Sequence, residues 1–211
     1  MAQPYQVSIA LAAAQATAVS ALQSPGAGAI LINGLRATAG VATLDAPRRV
    51  LFTSGSDDSG ITFTVTGTNR YGYTQVETIA GANGTAATMQ DFKTVTGITH
   101  TGSVAGTLTV GTNGSASTQW FSINYQIPQI EISAAVFVSG TVSFSVEYTY
   151  DNPASPWTAT FPTVFSPTAL ASKSATTDGA INDPVYAIRL TQNTFSTGGS
   201  LKAIFIQSGI A

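Results

Sequence analysis

The chain has 211 residues, a formal net charge of −2 and no cysteine, and charged residues make up only 9% of it, whereas an ordinary soluble domain has roughly 25%. The absence of cysteine excludes disulfides, thiolate metal ligands and cysteine nucleophiles, and the scattered lysines and arginines form no stripe that would bind nucleic acid. Because charge normally keeps monomers soluble, so uncharged a surface predicts a subunit that associates with other protein chains.

The N-terminal stretch, residues 1–35, contains no charged residue. Residues 7–22 are apolar, but no Lys or Arg precedes them, so they do not resemble an export signal, and they are too short and too polar to span a membrane. Val7, Ile9 and Leu11 alternate with other residues, which predicts a first strand. Two interpretations of residues 1–35 are open: the first strands of an N-terminal domain, or an arm that becomes ordered on assembly.

The first strand that the sequence specifies clearly follows an acidic pair, Asp57 and Asp58. Ile61, Phe63 and Val65 alternate with threonines, which is typical of a half-buried strand. The acidic pair could belong to a calcium or catalytic site, or to a polar corner before the strand. Calcium takes roughly six to eight oxygen ligands, and the usual calcium-loop spacing is missing, whereas Asp and Ser form turns unaided. We therefore interpret the pair as a corner and predict no metal and no other cofactor.

Alternation of apolar and polar residues recurs in the second half of the chain. In residues 142–150, valine, phenylalanine and tyrosine face one way while serine, threonine and glutamate face the other, which predicts an antiparallel, half-buried strand. Residues 120–127 repeat the pattern, and no segment has a sustained amphipathic helical period. The predicted fold class is therefore all-β, an antiparallel β-sandwich of the immunoglobulin-like or jelly-roll-like type.

Two sandwich modules are predicted, because aromatic residues and prolines become denser in the second half of the chain. The N-terminal β-sandwich spans residues 1–116 and the C-terminal β-sandwich spans residues 117–211. The second module contains a long loop, residues 151–184, whose prolines exclude a central strand through much of it. A loop of this length is usually functional or forms an interface.

This loop and the strand before it carry aromatic residues that would be partly exposed unless another subunit covers them. We predict a contact surface formed by Tyr150, Trp157, Phe161 and Phe165. The alternative is that the aromatic side chains bind a carbohydrate on a host surface, because aromatic faces and polar tips suit such ligands.

The sequence contains no catalytic constellation that we recognise. His100 is the only histidine and lies in a polar stretch, which predicts a surface position. There is no G-x-S-x-G nucleophile motif and no glycine-rich phosphate-binding motif. Glu131 and Glu147 could form the carboxylate pair of a glycosidase, but both occupy outward positions of predicted strands, where side chains are usually solvated. We therefore predict that the protein is not an enzyme.

Residues 49–111 carry a particular succession of strands. The stretch S-G-I-T-F-T-V-T-G-T is followed by E-T-I-A-G and by F-K-T-V-T. This succession resembles β-rich virion proteins of tailed bacteriophages. The stretch G-T-V-S-F-S-V-E-Y-T-Y-D-N-P and the C-terminal residues 183–211 are similar to sandwich modules in the same class of particle proteins. The resemblance implies a structural role in the virion and supplies no catalytic residue.

Composition and resemblance together predict a non-enzymatic structural component of a tailed-phage virion, assembled in the host cytoplasm. A capsid decoration or cement protein is the first expectation, and a collar, adaptor or tail subunit or a receptor-binding module is the alternative. The expected partners are other virion proteins, such as the major capsid protein, and further copies of the chain. Nucleic acid and membranes are not expected partners. Burial against neighbours is favourable here because few ionisable groups have to be desolvated.

Overall fold

The computed structural model describes residues 4–124, 131–153, 162–194 and 198–207. Over these residues the chain forms strands and one short 3₁₀ helix, and the strand pairs are antiparallel. The predicted all-β, antiparallel class is therefore confirmed. The chain divides into two compact units. Unit I is residues 14–113, and unit II consists of the described parts of residues 1–13, 114–155 and 161–211.

The strands are numbered in chain order, and the first of them, β1 (Pro4–Ile9), belongs to unit II. The strands of unit I follow: β2 (Ser20–Gln23), β3 (Gly28–Ala29), β4 (Ala37–Thr38), β5 (Val41–Arg48), β6 (Val50–Asp57), β7 (Thr62–Thr68), β8 (Thr74–Ala80), β9 (Asn83–Ala87), β10 (Phe92–His100) and β11 (Leu108–Thr112). Unit II continues with β12 (Ala116–Ser117), β13 (Phe121–Ser122), β14 (Ile132–Ser139), β15 (Ser143–Thr149), the 3₁₀ helix (Thr168–Leu170), β16 (Thr177–Ile181), β17 (Ala187–Thr194) and β18 (Ser200–Gln207).

Unit I contains two sheets. One sheet has the strand order β4-β5-β10-β7-β8, with β3 also paired to β10, and the other has the order β2-β11-β6-β9. The clearly predicted strand is β7, in which Phe63 and Val65 are buried while the threonines between them are not. Phe63 stacks on Phe52 of β6 with ring centroids 4.5 Å apart. Aromatic packing therefore joins the inner faces of the two sheets.

Unit II also contains two sheets. One has the strand order β1-β18-β14-β16, and in the other β17 pairs with β12, β13 and β15. The strand predicted over residues 142–150 is β15, whose Phe144 and Val146 are fully buried. These side chains belong to one core with Phe205 of β18. Each unit thus has two sheets and a hydrophobic core of its own, which is the architecture of a β-sandwich.

The first strand lies outside the module in which the sequence analysis placed it. β1 includes Val7 and Ile9, as predicted, but it pairs along its whole length with β18 of unit II. The predicted module over residues 1–116 also ends later than unit I, which ends at Asn113. Alternation identifies a strand but not its partner, because the period of two is the same at every sheet edge.

The prediction of an irregular loop over residues 151–184 is wrong in its second part. The described residues from 162 onward include the 3₁₀ helix and β16, which pairs with β14. Pro167 and Pro184 flank this segment but none lies between them, so every residue of β16 retains the N–H group that a sheet requires. Leu170 is fully buried in the core of unit II and attaches the segment to it.

Candidate functional site

Three aromatic residues at the end of β15 form a cluster, which we call the aromatic cluster: Tyr148, Tyr150 and Phe165. Tyr148 lies within β15 and packs partly against the core of unit II. Tyr150 lies just beyond the strand and is 51% exposed, and Phe165 is 42% exposed. The backbone N–H of Tyr148 donates to the carbonyl of Phe165 at 2.8 Å, and the N–H of Phe165 donates back at 2.9 Å. Backbone pairing therefore fixes the position of Phe165 beside β15.

The three rings contact one another in geometries that aromatic pairs prefer. Tyr148 and Phe165 are stacked, with centroids 5.6 Å apart and an interplanar angle of 21°. Tyr150 meets Phe165 edge to face at 5.6 Å and meets Tyr148 edge to face at 5.8 Å. Such pairs contribute about 0.5–1.5 kcal/mol beyond the area they bury. The cluster is therefore a preorganised apolar surface, and Tyr150 and Phe165 form its exposed part.

Polar groups border the aromatic cluster. Burial raises the pKa of the Tyr148 hydroxyl, and the neighbouring Tyr150 and Asp183 raise it further, so this hydroxyl stays protonated at neutral pH. The carboxylate of Asp151 accepts a hydrogen bond of 2.7 Å from the backbone N–H of Thr163. An apolar centre with a polar border can bind a protein surface or the face of a sugar ring.

The structure brings together two of the four residues predicted to form the contact surface, Tyr150 and Phe165. The other two, Trp157 and Phe161, lie outside the described residues. Tyr148 also belongs to this surface, although it was not among the four predicted residues. The signal for it was present, because Tyr148 and Tyr150 are two positions apart and side chains with that spacing on a strand face the same side.

The acidic pair lies at the corner between β6 and β7, where Asp57 is the last residue of β6 and Asp58 follows it. Asp57 accepts a 3.0 Å hydrogen bond from the backbone N–H of Ser59, which is the Asx turn expected for this sequence, and this bond lowers the pKa of the Asp57 carboxyl. Asp58 is only 3% exposed, and its carboxylate accepts a 2.8 Å bond from the N–H of Ala105. Asp58 therefore attaches a second loop of unit I to the corner.

His100 is buried, so the prediction of a surface position is wrong. It is the last residue of β10, it is 6% exposed, and its ring centroid lies 5.9 Å from that of Phe63. Its Nδ1 donates to the carbonyl of Gly102 at 2.6 Å. The physical reason is strand parity: His100 is two positions after the buried Ile98 and shares its face. The polar turn begins only after His100.

The two glutamates considered as a carboxylate pair occupy different environments. Glu131 directly precedes β14 and is exposed. Glu147 on β15 is not solvated as predicted, because its side chain is 12% exposed and accepts a 2.7 Å bond from Nε of Arg189 on β17. The guanidinium of Arg189 also lies 4.4 Å from the ring centroid of Trp120. Glu147 is thus held in a cross-strand ion pair with Arg189, which lies directly opposite it in the β15–β17 register.

Unit I has a surface lined by threonines that was not predicted from the sequence and that we call the threonine face. The outward positions of β7 are all threonine, and those of the adjacent β8 are threonine, valine and alanine. The hydroxyls of Thr64 and Thr78 are 3.2 Å apart, and those of Thr68 and Thr94 are 2.7 Å apart, so cross-strand hydrogen bonds order the surface. The members of the threonine face are Thr62, Thr64, Thr66, Thr68, Thr74, Val76, Thr78, Ala80, Thr94 and Thr99.

The described residues contain no group of three or more His, Asp or Glu side chains that could hold a metal ion. Within the same ranges, no helix is long and apolar enough to cross a membrane. In comparisons with known proteins, no protein-family model and no curated protein sequence matches the chain. The resemblance to virion proteins of tailed phages therefore stays a prediction.

Proposed function

We propose that the chain is a non-enzymatic structural component of a tailed-phage virion, specifically a capsid decoration or cement protein that stabilises the particle through contacts with neighbouring subunits. The observation that carries the proposal is the threonine face. Three adjacent strands, β8, β7 and β10, present hydroxyl and methyl groups there, and the outward positions of β7 and β8 include no ionisable side chain. Removing hydroxyls from water costs much less than removing ammonium or carboxylate groups.

The threonine face has two further properties that suit an interface. A hydroxyl is both a donor and an acceptor, so either a donor or an acceptor on the neighbouring protein can form a hydrogen bond with it. The strands below it are held by the core side chains Phe63, Val65 and Ile98, which are fully buried, so the surface is rigid before a partner arrives. Preorganisation of this kind reduces the entropic cost of association.

Sedimentation with phage heads tests the proposal. Purified protein is mixed with heads of the phage that encodes it, prepared from a mutant that lacks this protein, and the pelleted protein is quantified. We expect saturable binding of many copies per head and a higher temperature of head disruption, because a bound protein stabilises the state that it binds. Binding of a few copies at one vertex would instead indicate a collar or adaptor subunit, and no binding to any virion part would contradict the proposal.

The threonine face is tested with one charged substitution and one control. Thr78→Lys places an ammonium on the exposed face of β8, and we expect it to weaken head binding by at least tenfold, since a buried unpaired charge costs several kcal/mol. Thr168→Lys adds the same charge at an exposed position of the 3₁₀ helix in unit II and should bind as the wild type does. Equal binding by both variants would show that the threonine face is not the contact surface.

The aromatic cluster favours a second candidate function, recognition of a carbohydrate on the host surface. Tyr150 is the test residue, and Tyr71 of unit I, which is 50% exposed compared with 51% for Tyr150, is a matched control. If the cluster binds sugars, Tyr150→Ala lowers affinity for host-surface glycans by roughly tenfold while Tyr71→Ala does not. Glycan-array binding followed by calorimetry measures this effect. Absence of glycan binding by the wild type would exclude the second candidate.

A further inference from the structure

The strand β1 is attached to its sheet by one neighbour and lies far in sequence from the rest of its unit. It is the outermost strand of the sheet β1-β18-β14-β16, and all of unit I separates it from the remainder of unit II. Gln15 is hydrogen-bonded to β11 of unit I. Its backbone N–H donates to Oγ1 of Thr112 at 3.1 Å, and its carbonyl accepts the N–H of Thr112 at 3.0 Å. Residues 10–14 form no strand. β1 is therefore an edge strand that a short connection joins to unit I.

β1 covers both apolar side chains and a hydrogen-bonding edge. Ile9 is buried in the core of unit II, and Val7 packs against that core. The ring of Tyr5 lies 5.5 Å from that of Phe121. All six residues of β1 are in register with β18. Without β1, unit II would expose an apolar strip beside an unpaired strand edge, a combination that readily binds another strand.

We propose that β1 is an exchangeable strand, so that in the assembled protein β1 of one copy pairs with β18 of a second copy. The occupant of the β18 edge is then residues 4–9 of the neighbour, in the register found within one chain. No new recognition is needed, because identical contacts form within and between chains. The proposal rests on the proposed function, because assembly must bring copies side by side, and it names one contact by which they are joined.

The balance between the two arrangements depends on local concentration. Pairing of β1 with its own β18 is intramolecular, so its effective concentration exceeds the concentration of other copies in dilute solution. Free molecules at micromolar concentration therefore retain their own strand, whereas copies packed on a particle reach concentrations at which exchange competes. One feature lowers the barrier to exchange. Residues 4–14 contain no acidic or basic side chain, so exchange breaks no ion pair.

Engineered disulfides test the exchange without interference, because the chain contains no cysteine. Ser8 and Lys202 are directly opposite in the β1–β18 register, and both are exposed. The single variants Ser8→Cys and Lys202→Cys are mixed, unfolded, refolded together at increasing concentration and oxidised. We expect a disulfide-linked heterodimer whose yield rises with concentration. The matched control mixes Lys202→Cys with Gln6→Cys, which is exposed on the same strand but lies opposite Ile204, and it should give little heterodimer.

The double variant with both substitutions in one chain separates this inference from the proposed function. Its disulfide locks β1 to its own unit, and we expect it to bind heads several-fold less well than the wild type and to regain full binding after reduction. If the locked protein binds heads normally, or if the mixed variants give no more heterodimer than the control at any concentration, exchange is disproved while the virion assignment stands. If the reduced protein and the wild type both fail to bind any virion part, the proposed function fails, and heterodimer yield alone decides on exchange.

Discussion

Gln192 is a buried polar residue whose side chain has no hydrogen-bond partner within the described part of the chain. It lies on β17 opposite Phe144 of β15. The buried core residues Leu190 and Ile188 are two and four positions before it, respectively, and share its face. A buried amide that makes no hydrogen bond destabilises a protein by about 1–3 kcal/mol. We therefore expect an apolar side chain at position 192 to give a more stable protein than Gln192 does.

Replacing this amide with an apolar group of similar size is expected to stabilise the protein. We predict that Gln192→Met raises the free energy of unfolding by about 1–2 kcal/mol, because the polar group is removed and the flexible side chain still fills the space. Urea denaturation followed by circular dichroism measures the change. Gln75→Met is the control: Gln75 is also buried but donates to the carbonyl of Asp91 at 3.1 Å, so this variant should lose stability. Equal losses in both variants would show that the Gln192 amide is hydrogen-bonded in solution.

The edge strand β8 carries a charged residue that points toward the sheet interior. Glu77 accepts backbone hydrogen bonds from Met89 at 2.6 Å and from Gln90 at 2.9 Å. Inward-pointing charges on edge strands discourage pairing with other chains. Burial raises the pKa of the Glu77 carboxyl, and this effect outweighs the two N–H groups and the nearby Arg49, which act in the opposite direction. The partly desolvated carboxylate of Glu77 thus discourages other strands from pairing with the edge of β8.

This raised pKa leads to a prediction about the pH dependence of stability. Glutamates in an unfolded chain titrate at about pH 4.3. In the folded protein, Glu77 takes up its proton at a higher pH than this. The contribution of Glu77 to the free energy of unfolding therefore increases as pH falls from neutral through the folded pKa, and this gain is complete below the unfolded value. We expect Glu77→Gln to remove that part of the pH response in urea titrations between neutral pH and about pH 4.

Asp57→Asn is a control of opposite sign for the pH prediction. The hydrogen bond from Ser59 lowers the pKa of Asp57, so the stability linked to this group is present at neutral pH and is lost as pH falls through the folded value. A wild-type pH response that is unchanged in Glu77→Gln would contradict the assignment to Glu77.

At the scale of the whole molecule, the two units differ in how their strands are distributed along the chain. Unit I is continuous over residues 14–113, whereas unit II combines β1 with strands that follow unit I. Each has a separate core, and a sandwich of about a hundred residues buries enough surface to fold alone. The continuous unit I should therefore fold as an isolated fragment more readily than the discontinuous unit II.

We predict that a fragment of residues 14–113 folds, giving a cooperative thermal transition and dispersed amide resonances. A fragment of residues 114–211 should be marginally stable and prone to aggregation, because it lacks β1, which covers the edge of β18. Adding a synthetic peptide of residues 1–13 should raise the melting temperature of the second fragment, since a bound strand stabilises the folded state. The same peptide with Val7 and Ile9 replaced by Ser should not. A second fragment that is equally stable without the peptide would contradict this description of unit II.

The candidate site was only partly predictable from the sequence. The aromatic residues beside prolines in this segment predicted that Tyr150 and Phe165 would be exposed. Local composition was sufficient for this prediction. The environments of His100 and Glu147 were predicted incorrectly, because the first depends on where β10 ends and the second on a partner from a distant part of the chain. His100 is buried by strand parity within β10, and Glu147 is paired with Arg189, which is more than forty positions away in the chain.

The amino-acid sequence by itself determined the fold class of this protein and the position of its clearest strands. Side chains alternate across a strand with a period of two, so β7 and β15 could be read from their own residues. Only the tertiary structure decided which strands pair, as β1 with β18 and β16 with β14. The reason is that backbone hydrogen bonds at a sheet edge are the same for every sequence, so the choice among edges depends on the packing of side chains from distant parts of the chain.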